Sequence, residues 1–451
     1  MDGIGGFARH VVSTRWGDLP ATAVAAVKTF VLDTLGVAIA GSGEPTAARL
    51  AETAAGWGGG DEATVWGTGL RLPAIHAALV NGYQTHCLEF DCVHEGATVH
   101  PMATILPVLL AHIERAGGAT GRDLITAIAL AVDVAAGIGV ASRAPMRFFR
   151  PAMAGAFGAV AGLAVLARLD TETLLNAFGI LYGQLSGTLQ PHVEGSPVLG
   201  IQIGVNARAA LTALDLAANG FVGPHDVLEG RYGYYALFEG NHELASVLAT
   251  LGTTWRVTEV AHKPFPTGRL THGAIDGLQR LRAAHGFEAE EVKDVRLTVP
   301  PFVARLVGRP DVPSPAANYA KLCLPFVAAT AVLKGTVDVP DFRGAWLRDP
   351  RVHALAGRVT VAVTEDADEN ASVPQTIEVT LTDGRRHAVR VEHVIGHAAN
   401  PLSRGQHLDK FRRCWTYGAR SLGDGPGDAL IGLVDRLEHV TDARELIQPL
   451  R

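Results

Sequence analysis

Apolar side chains recur every three or four residues through most of the first 220 positions of the chain. One such run lies between residues 20 and 41 and ends at a glycine, which predicts a helix. Helices are also predicted, with only short connections between them, at residues 46–55, 72–83, 101–116, 122–143, 151–169, 171–187 and 204–219. Helix following helix in this way predicts an all-helical first domain.

The pattern changes after about residue 255. Residues 292–303, 358–364 and 376–381 largely alternate apolar and polar side chains, which is the period-two pattern of strands. Thr382, Asp383 and Gly384 then form a turn sequence before residues 387–394, which predicts a hairpin. A smaller domain that mixes strands and helices is therefore expected after the helical one.

These patterns predict a protein that is mainly α with a smaller α+β domain. At 451 residues the chain is too long for one ordinary core, so two domains are expected. We expect a large helical domain whose first part spans residues 1–265, an inserted α+β lid at residues 266–395, and C-terminal helices at residues 396–451 that return to the helical domain.

Composition and charge narrow the class of protein. The 39 basic and 45 acidic residues give a net charge of −6, so no basic field favours nucleic acid as a partner. Residues 124–140 and 152–166 are apolar, but the first run contains Asp133 and the second is rich in Gly and Ala and just short of a membrane span. Residues 1–16 lack the continuous apolar core of a signal peptide. We therefore expect a soluble cytoplasmic protein with buried helices and no membrane partner.

The four cysteines favour neither a disulfide framework nor a metal centre. Cys87, Cys92, Cys323 and Cys414 are widely spread and include no C-x-x-C pair. An iron–sulfur cluster would need several thiolates at organised spacing, which this chain does not offer.

The densest group of titratable side chains lies in the turn between two predicted helices, within residues 81–107. Asp91, His94, Glu95 and His100 follow one another there, and Pro101 opens the next helix. Proline is favoured at the first helical position, and the free N–H groups at a helix start attract anions. A carboxylate ligand near His100 is therefore physically reasonable, while the alternative is a polar turn that only covers the core.

Short motifs that occur in order along nearly the whole chain resemble those of the MmgE/PrpD family. They are Leu32-Asp33-Thr34-Leu35-Gly36-Val37, Val80-Asn81-Gly82, Phe90-Asp91, His100-Pro101, Gly220-Phe221-Val222-Gly223-Pro224, Lys263-Pro264-Phe265-Pro266, Leu322-Cys323-Leu324-Pro325-Phe326, and Asn400-Pro401-Leu402-Ser403 with Lys410-Phe411-Arg412. The family includes 2-methylcitrate dehydratase, cis-aconitate decarboxylase and iminodisuccinate epimerase. The resemblance implies a large helical domain, a smaller lid, an active site in the crevice between them, a homodimer, and no need for a metal or an organic cofactor.

The resemblance also assigns residues one at a time. Asp91 matches the first acidic residue of the family's Phe-Asp-Asp-Thr-His-like turn, and His94 and His100 match its two histidines. Lys263 matches the lysine of the segment that closes over the site from the domain junction. His272, which follows Arg269, matches a histidine that opens a helix of the lid.

The chain departs from the family pattern at four places. Cys92 and Val93 replace the usual Asp and Thr, Arg150 stands where a histidine precedes the proline of a Gly/Ala-rich helix, Leu199 falls where a substrate-contacting lysine is expected, and Phe326 replaces a tyrosine. Gln202, with His192 and Glu194, lies on the nearby loop and is a candidate to compensate for Leu199. The familiar substrates are therefore in doubt.

The family's reactions move a proton at a carbon next to a carboxylate, which requires a base within reach and cations where negative charge develops. We expect His100 to be the base or proton shuttle, with Asp91 orienting it and His94 as a further base candidate. Lys263 is expected to bind a carboxylate or protonate the leaving group, and Arg150, Arg269 and His272 to bind substrate. The alternatives are purely structural roles, in which His100 only caps a helix and Lys263 is a solvated hinge residue.

The leading functional hypothesis is a cofactor-independent lyase, either a dehydratase or a decarboxylase, that acts on a small citrate- or aconitate-like polycarboxylate. The second is an epimerase or isomerase of a dicarboxylate. A third is a paralogue that only binds a ligand, and a fourth is a tailoring enzyme whose substrate is larger and more apolar, because Leu199 and Phe326 are expected to make the pocket more apolar.

Overall fold

The computed structural model describes residues 2–365 and 370–451. The α-helices in this part of the chain are α1 Ile4–Ser13, α2 Ala21–Ser42, α3 Pro45–Gly56, α4 Ala74–His86, α5 Pro101–Ala116, α6 Gly121–Ala141, α7 Arg150–Ala167, α8 Thr171–Tyr182, α9 Gln190–Glu194, α10 Val198–Ala218, α11 Leu244–Leu248, α12 His272–His285, α13 Pro301–Val307, α14 Ala317–Lys321, α15 Leu324–Lys334, α16 Pro350–Ala356, α17 Arg404–Thr416 and α18 Asp424–Asp435. The strands are β1 Ala63–Thr64, β2 Arg71–Leu72, β3 Val93–His94, β4 Val260–Ala261, β5 Val292–Val299, β6 Val359–Val363, β7 Gln375–Leu381 and β8 Arg386–Val391.

Helices α4, α5, α6, α7 and α10 pack against one another and form the centre of the helical domain. Small residues let them approach closely, as at Gly158, where a Cβ atom would lie 2.4 Å from the carbonyl oxygen of Ala131. Because close backbone contacts fill this core, the domain needs few aromatic side chains.

Among the described residues, three helices are long and apolar enough to cross a membrane by length and composition alone: α2, α6 and α7. In the folded chain, 72%, 94% and 83% of their most apolar 18-residue stretches are buried inside the protein. Their apolar surface is therefore used mainly inside the protein's own core.

The second core surrounds a four-stranded sheet with the order β6-β5-β7-β8. Strand β5 is parallel to β6 and antiparallel to β7, and β7 and β8 form a hairpin whose turn contains Gly384 at a φ of +89°. Helix α12 packs on β7 and β8, while α13 and α15 pack against β6. This is the smaller α+β part that the alternating patterns predict, and the fold class, mainly α with a smaller α+β domain, is confirmed.

The C-terminal segment returns to the helical domain, since α17 and α18 both pack against α2. The contact between α17 and α2 is close: a Cβ atom at Gly36 would lie 2.7 Å from the ring of Phe411. The predicted domain boundaries stay predictions, and the ranges 1–265 and 266–395 include Met1 and residues 366–369, which lie outside the described residues.

Three element ends differ from the predicted ones. The strand predicted at 292–303 ends at Val299, because Pro300 and Pro301 cannot donate to a sheet and Pro301 instead begins α13. The helix predicted at 171–187 ends at Tyr182, and α10 begins at Val198, six residues before its predicted start.

Candidate active site

The turn between α4 and α5 contains the densest group of ionisable side chains predicted from the sequence. In the structure these side chains are largely buried. Helix α4 ends at His86, and the backbone then reverses through Glu89, whose φ is +52°. A glutamate in the left-handed region is uncommon and costs free energy, so the surrounding structure holds it there. This reversal places the side chains of His86, Glu89 and Asp91 beside one another.

Asp91 lies between two imidazoles. Its Oδ2 atom is 2.9 Å from Nδ1 of His100 and 3.1 Å from Nδ1 of His86. An ionised carboxylate only accepts hydrogen bonds, so both Nδ1–H groups donate to Asp91 and the Nε2 atoms are directed away from it. His100 occupies the N-cap position of α5 but makes no capping hydrogen bond with its side chain. The imidazole of His100 therefore hydrogen-bonds to Asp91 and does not cap the helix.

Lys263 reaches this turn from a distant part of the chain. Strand β3 pairs with β4, so that Val93 lies opposite Ala261, two residues before the lysine. The buried Nζ atom of Lys263 is 2.9 Å from Oε2 of Glu89 and 3.8 Å from Oδ1 of Asp91. The structure thus brings together Asp91, His100 and Lys263, the three residues on which the mechanistic hypothesis depends.

The charges in the cluster set distinct protonation states for its two histidines. Burial alone would lower the pKa of His86, but the carboxylates of Asp91 and Glu89 outweigh it and the pKa is raised. Burial together with the Lys263 ammonium lowers the pKa of His100 below its ordinary value. Near neutral pH, His100 is therefore a neutral imidazole, whereas His86 holds its proton more tightly.

Both carboxyl groups of the cluster stay ionised despite their burial. Burial would raise the pKa of Asp91, but the neighbouring His100, His86 and Lys263 hold it well below its usual range. Burial likewise opposes ionisation of Glu89, and Lys263 followed by His86 nevertheless lowers the pKa of that carboxyl to about 2. These two anions balance the charges of Lys263 and a protonated His86.

Two further buried lysines donate to the backbone of the same turn. Lys321, the last residue of α14, donates to the carbonyl of Cys87 at 3.0 Å. Lys410, on α17, donates to the carbonyl of Phe90 at 2.9 Å and lies 2.7 Å from Oδ1 of Asp33. The conformation of residues 87–91 is therefore fixed from both the α+β domain and the C-terminal helices.

A cavity of about 90 Å³ opens beside the cluster. Its polar lining includes His86, Glu89, Glu95, His100, His192 and Arg269. Its apolar lining includes Met146, Phe149, Phe302, Leu306, Val307 and Leu322. The His100 side chain is 12% exposed and that of Asp91 is fully buried, so a ligand would meet His100 while Asp91 stays behind it.

Arg269 lines the cavity and is already paired. Its Nε atom donates to Oε1 of Glu95 at 2.7 Å, and Nη1 donates to the carbonyl of Ile395 at 2.7 Å. His272 lies behind it, with Nε2 donating to the carbonyl of Thr267 at 3.2 Å. Burial and the adjacent Arg269 hold the pKa of His272 well below its ordinary value, so this histidine is neutral and positions Arg269.

Three of the predicted site residues make structural contacts away from the cavity lining. His94 lies 2.9 Å from Oε2 of Glu259 through Nε2 and accepts from the backbone N–H of Ala97 through Nδ1, so neither ring nitrogen is available as a base. Arg150 forms a buried bidentate ion pair with Glu239 at 2.8 and 2.7 Å. Gln202 bonds both the N–H and the carbonyl of Thr188, which closes a loop.

Leu199 and Phe326 are also placed elsewhere, in the core around the sheet. Phe326 is fully buried and packs against Phe342, and Leu199 is 3% exposed. They do not line the cavity, whose apolar surface comes instead from α13, from Leu322 and from the segment that leads into α7. Their positions therefore do not support the substrate-binding role that was expected for these two residues.

His86 and Glu89 are the cluster members that sequence reasoning missed. The predicted helix ended at Tyr83, three residues before the actual end of α4, so His86 had no assigned position at the start of the turn. The available signal was a histidine and a glutamate within five residues of Asp91, in a stretch that was otherwise apolar.

Two groups of buried side chains within the described ranges place possible metal-ligand atoms within 4.8 Å of one another: His86, Asp91 and His100, and Asp33, His262 and His407. In the first group Asp91 is hydrogen-bonded to both imidazoles. In the second, the Lys410 ammonium already lies against Asp33. The expectation that no metal or organic cofactor is needed stays a prediction.

Fold and site together define a mainly helical, two-domain protein with a buried acid–base cluster between its cores. The chain belongs to the MmgE/PrpD family: residues 5–246 match the MmgE/PrpD N-terminal domain and residues 265–421 match the C-terminal domain. Human cis-aconitate decarboxylase is 27% identical over 463 residues, covering 99% of this chain and 94% of that protein. A cis-aconitate decarboxylase-like protein from Aspergillus oryzae is 25% identical, covering 89% and 88% of the two chains. The 2-methylcitrate dehydratase of Cupriavidus necator is 27% identical over 259 residues, covering 53% and 52%.

Proposed function

We propose that this chain is a lyase that acts on a citrate- or aconitate-like acid by proton transfer at a carbon next to a carboxylate. The family membership and the decarboxylase and dehydratase relatives support the reaction class. The observation that carries the proposal is His100, whose Nδ1–H is bound by Asp91 while the ring borders the cavity.

In dehydration, Nε2 of His100 accepts the proton from the carbon next to the carboxylate, and the electron pair of that C–H bond forms the alkene. The C–O bond breaks, and hydroxide leaves as water with a proton from an acid, for which the protonated His86 is the candidate. Asp91 stabilises the imidazolium that forms on His100, as a buried carboxylate does in other carboxylate–histidine pairs. Lys263 supplies positive charge behind the cluster as the substrate carboxylate gains negative charge.

In decarboxylation, the C–C bond breaks, carbon dioxide leaves, and its electron pair stays on the adjacent carbon. That carbon then takes a proton from a protonated histidine of the cluster. The same residues therefore serve both lyase reactions, and the choice depends on which substrate bond lies beside His100 and His86.

The experiment that tests the function is incubation of the purified protein with citrate, 2-methylcitrate and cis-aconitate, followed by alkene absorbance and carbon dioxide release. His100→Gln should lower kcat by about 10²–10⁴-fold, the usual contribution of a positioned acid–base group. His94→Gln is the matched control and should keep kcat near the wild-type value. Absence of turnover with every acid would favour a paralogue that only binds its ligand.

An epimerase or isomerase is the second candidate, because His86 and His100 both line the cavity and a two-base reaction needs two such groups. Deuterium uptake from solvent without loss of water or carbon dioxide would identify it. From the resemblance alone we further propose a cytoplasmic homodimer that needs no metal or organic cofactor. Light scattering and activity after treatment with a chelator test the oligomeric state and the metal requirement.

A further inference from the structure

The charged side chains that line the cavity are already neutralised by partners. Glu89 is held by Lys263 at 2.9 Å, and Arg269 is held by Glu95 at 2.6 Å. The remaining donors of Arg269 go to backbone carbonyls, including those of Val394 and Ile395, and to Nδ1 of His272. Within the described part of the chain, the lining therefore offers no lysine or arginine that lacks a carboxylate partner.

A third carboxylate would have to lie against side chains that offer it no cation. Each carboxylate that leaves water without a cation is costly to bury. The donors in the lining include His86, His100, His192 and Arg269, and none of them lies on α13. Arg309 is not part of the lining and donates to Nδ1 and the carbonyl of His192 at 2.9 and 2.8 Å. A carboxylate placed on the α13 side of the cavity would therefore be buried without a cation.

The rest of the cavity is apolar and is supplied largely by the α+β domain. Helix α13 contributes Phe302, Leu306 and Val307, and Leu322 lies just before α15. Phe149, at the start of α7, contributes a further ring. An alkyl chain on these side chains would gain the free energy of leaving water, whereas a third carboxylate there would lose its hydration.

We propose that the substrate is a dicarboxylate with an unbranched alkyl arm, an aconitate-like acid in which an apolar chain replaces the third carboxylate. The inference rests on the proposed lyase function for its reaction, but binding tests it without any turnover. The two carboxylates lie at the His86, His100 and Arg269 end, and the arm lies along α13.

The test is calorimetric titration of the wild-type protein with saturated analogues that cannot react. Propane-1,2,3-tricarboxylate is compared with methyl-, propyl- and pentylsuccinate, which differ from it only in the group that replaces one of its two carboxymethyl arms. Affinity should rise by about fourfold for each methylene that the cavity buries, and pentylsuccinate should bind at least tenfold more tightly than the tricarboxylate. Equal or tighter binding of the tricarboxylate, or no binding of any analogue, would overturn the proposal.

Leu306→Lys places a cation on the apolar wall and should reverse the order, so that the tricarboxylate binds better than pentylsuccinate. Val363→Lys adds the same charge at an exposed position on β6 and is the matched control. If Leu306→Lys fails to fold, the change in affinity with alkyl chain length in the wild-type protein still tests the proposed ligand class.

Turnover separates the two proposals. Loss of alkene absorbance on hydration of cis-aconitate and of alkylmaleates, together with release of carbon dioxide from cis-aconitate, tests the lyase function, and the order of the kcat/KM values for hydration tests the substrate class. If no acid turns over but the alkylsuccinates bind in the predicted order, the lyase function fails and the ligand class stands. If cis-aconitate is the best substrate and the tricarboxylate the best ligand, the function stands and the ligand class fails.

Discussion

Replacement of Glu89 by Gln tests the charge balance of the cluster through stability. In the folded protein Lys263 and His86 lower the pKa of this carboxyl from 4.5 to about 2. A shift of that size corresponds to about 3 kcal/mol in favour of the folded state at neutral pH, at roughly 1.4 kcal/mol for each pKa unit. The substituted side chain would keep an amide beside Lys263 but, of the two carboxylates that lie near its ammonium in the described structure, would leave Asp91 alone. We therefore expect Glu89→Gln to lower the free energy of unfolding at pH 7 by about 3 kcal/mol.

The direction of the pKa shift determines how this difference in the free energy of unfolding depends on pH. Because the folded-state pKa of Glu89 lies below the unfolded one, its contribution is complete above about pH 4.5 and is lost as the pH falls towards 2. Urea unfolding of the wild-type protein and of Glu89→Gln, followed by circular dichroism, should give a difference that is largest between about pH 4.5 and 6.5 and shrinks below about pH 4.5 as Glu89 gains a proton. Above about pH 6.5 the difference should also decline as His86 loses its proton, and only the contribution of Lys263 then remains. Glu378→Gln, on the exposed side of β7, is the control and should change little at any pH. A difference for Glu89→Gln that stays the same down to about pH 3 would refute the assigned charges.

Three further predictions follow from buried contacts. Lys410→Met should lower kcat by at least tenfold with a smaller change in KM, because the lysine positions the turn through the Phe90 carbonyl. Lys410→Arg should restore part of the lost kcat, and steady-state kinetics measures kcat and KM separately for both variants. Arg150→Met should lower the free energy of unfolding by about 3–5 kcal/mol, since it leaves Glu239 buried and unpaired, while kcat per folded molecule stays near wild type; urea unfolding and active-site titration check both. Gly158→Ala should destabilise the helical domain by about 1–3 kcal/mol through its clash with α6, which thermal unfolding can detect.

The fold was largely predictable because its elements follow periodicity. The helix predicted at 101–116 is α5, and the strand predicted at 376–381 is β7 with one residue added. The helix α13 was not predicted, since the alternating pattern continued past Pro301 and concealed the change from strand to helix. That omission matters, because α13 forms the apolar wall of the cavity.

The site was predictable only in part. Asp91, His100 and Lys263 were expected to meet, and the two-residue pairing of β3 with β4 brings the lysine to the turn. No periodic signal marks so short a pairing. Arg150 was expected to bind substrate, but its partner Glu239 lies 89 positions later in the chain, and nothing in the local sequence connects the two.

The pH profile of kcat/KM tests the central claim most directly, namely that His100 works as a neutral base held by Asp91. The pKa of His100 is lowered from the ordinary histidine value of 6.5 and that of His86 is raised from it, which predicts a bell-shaped profile. Activity should fall on the acid side of 6.5 as His100 gains a proton, and again on the alkaline side as His86 loses one. In His100→Gln the residual activity should lose the acid limb. An acid limb that persists unchanged in His100→Gln would contradict the account.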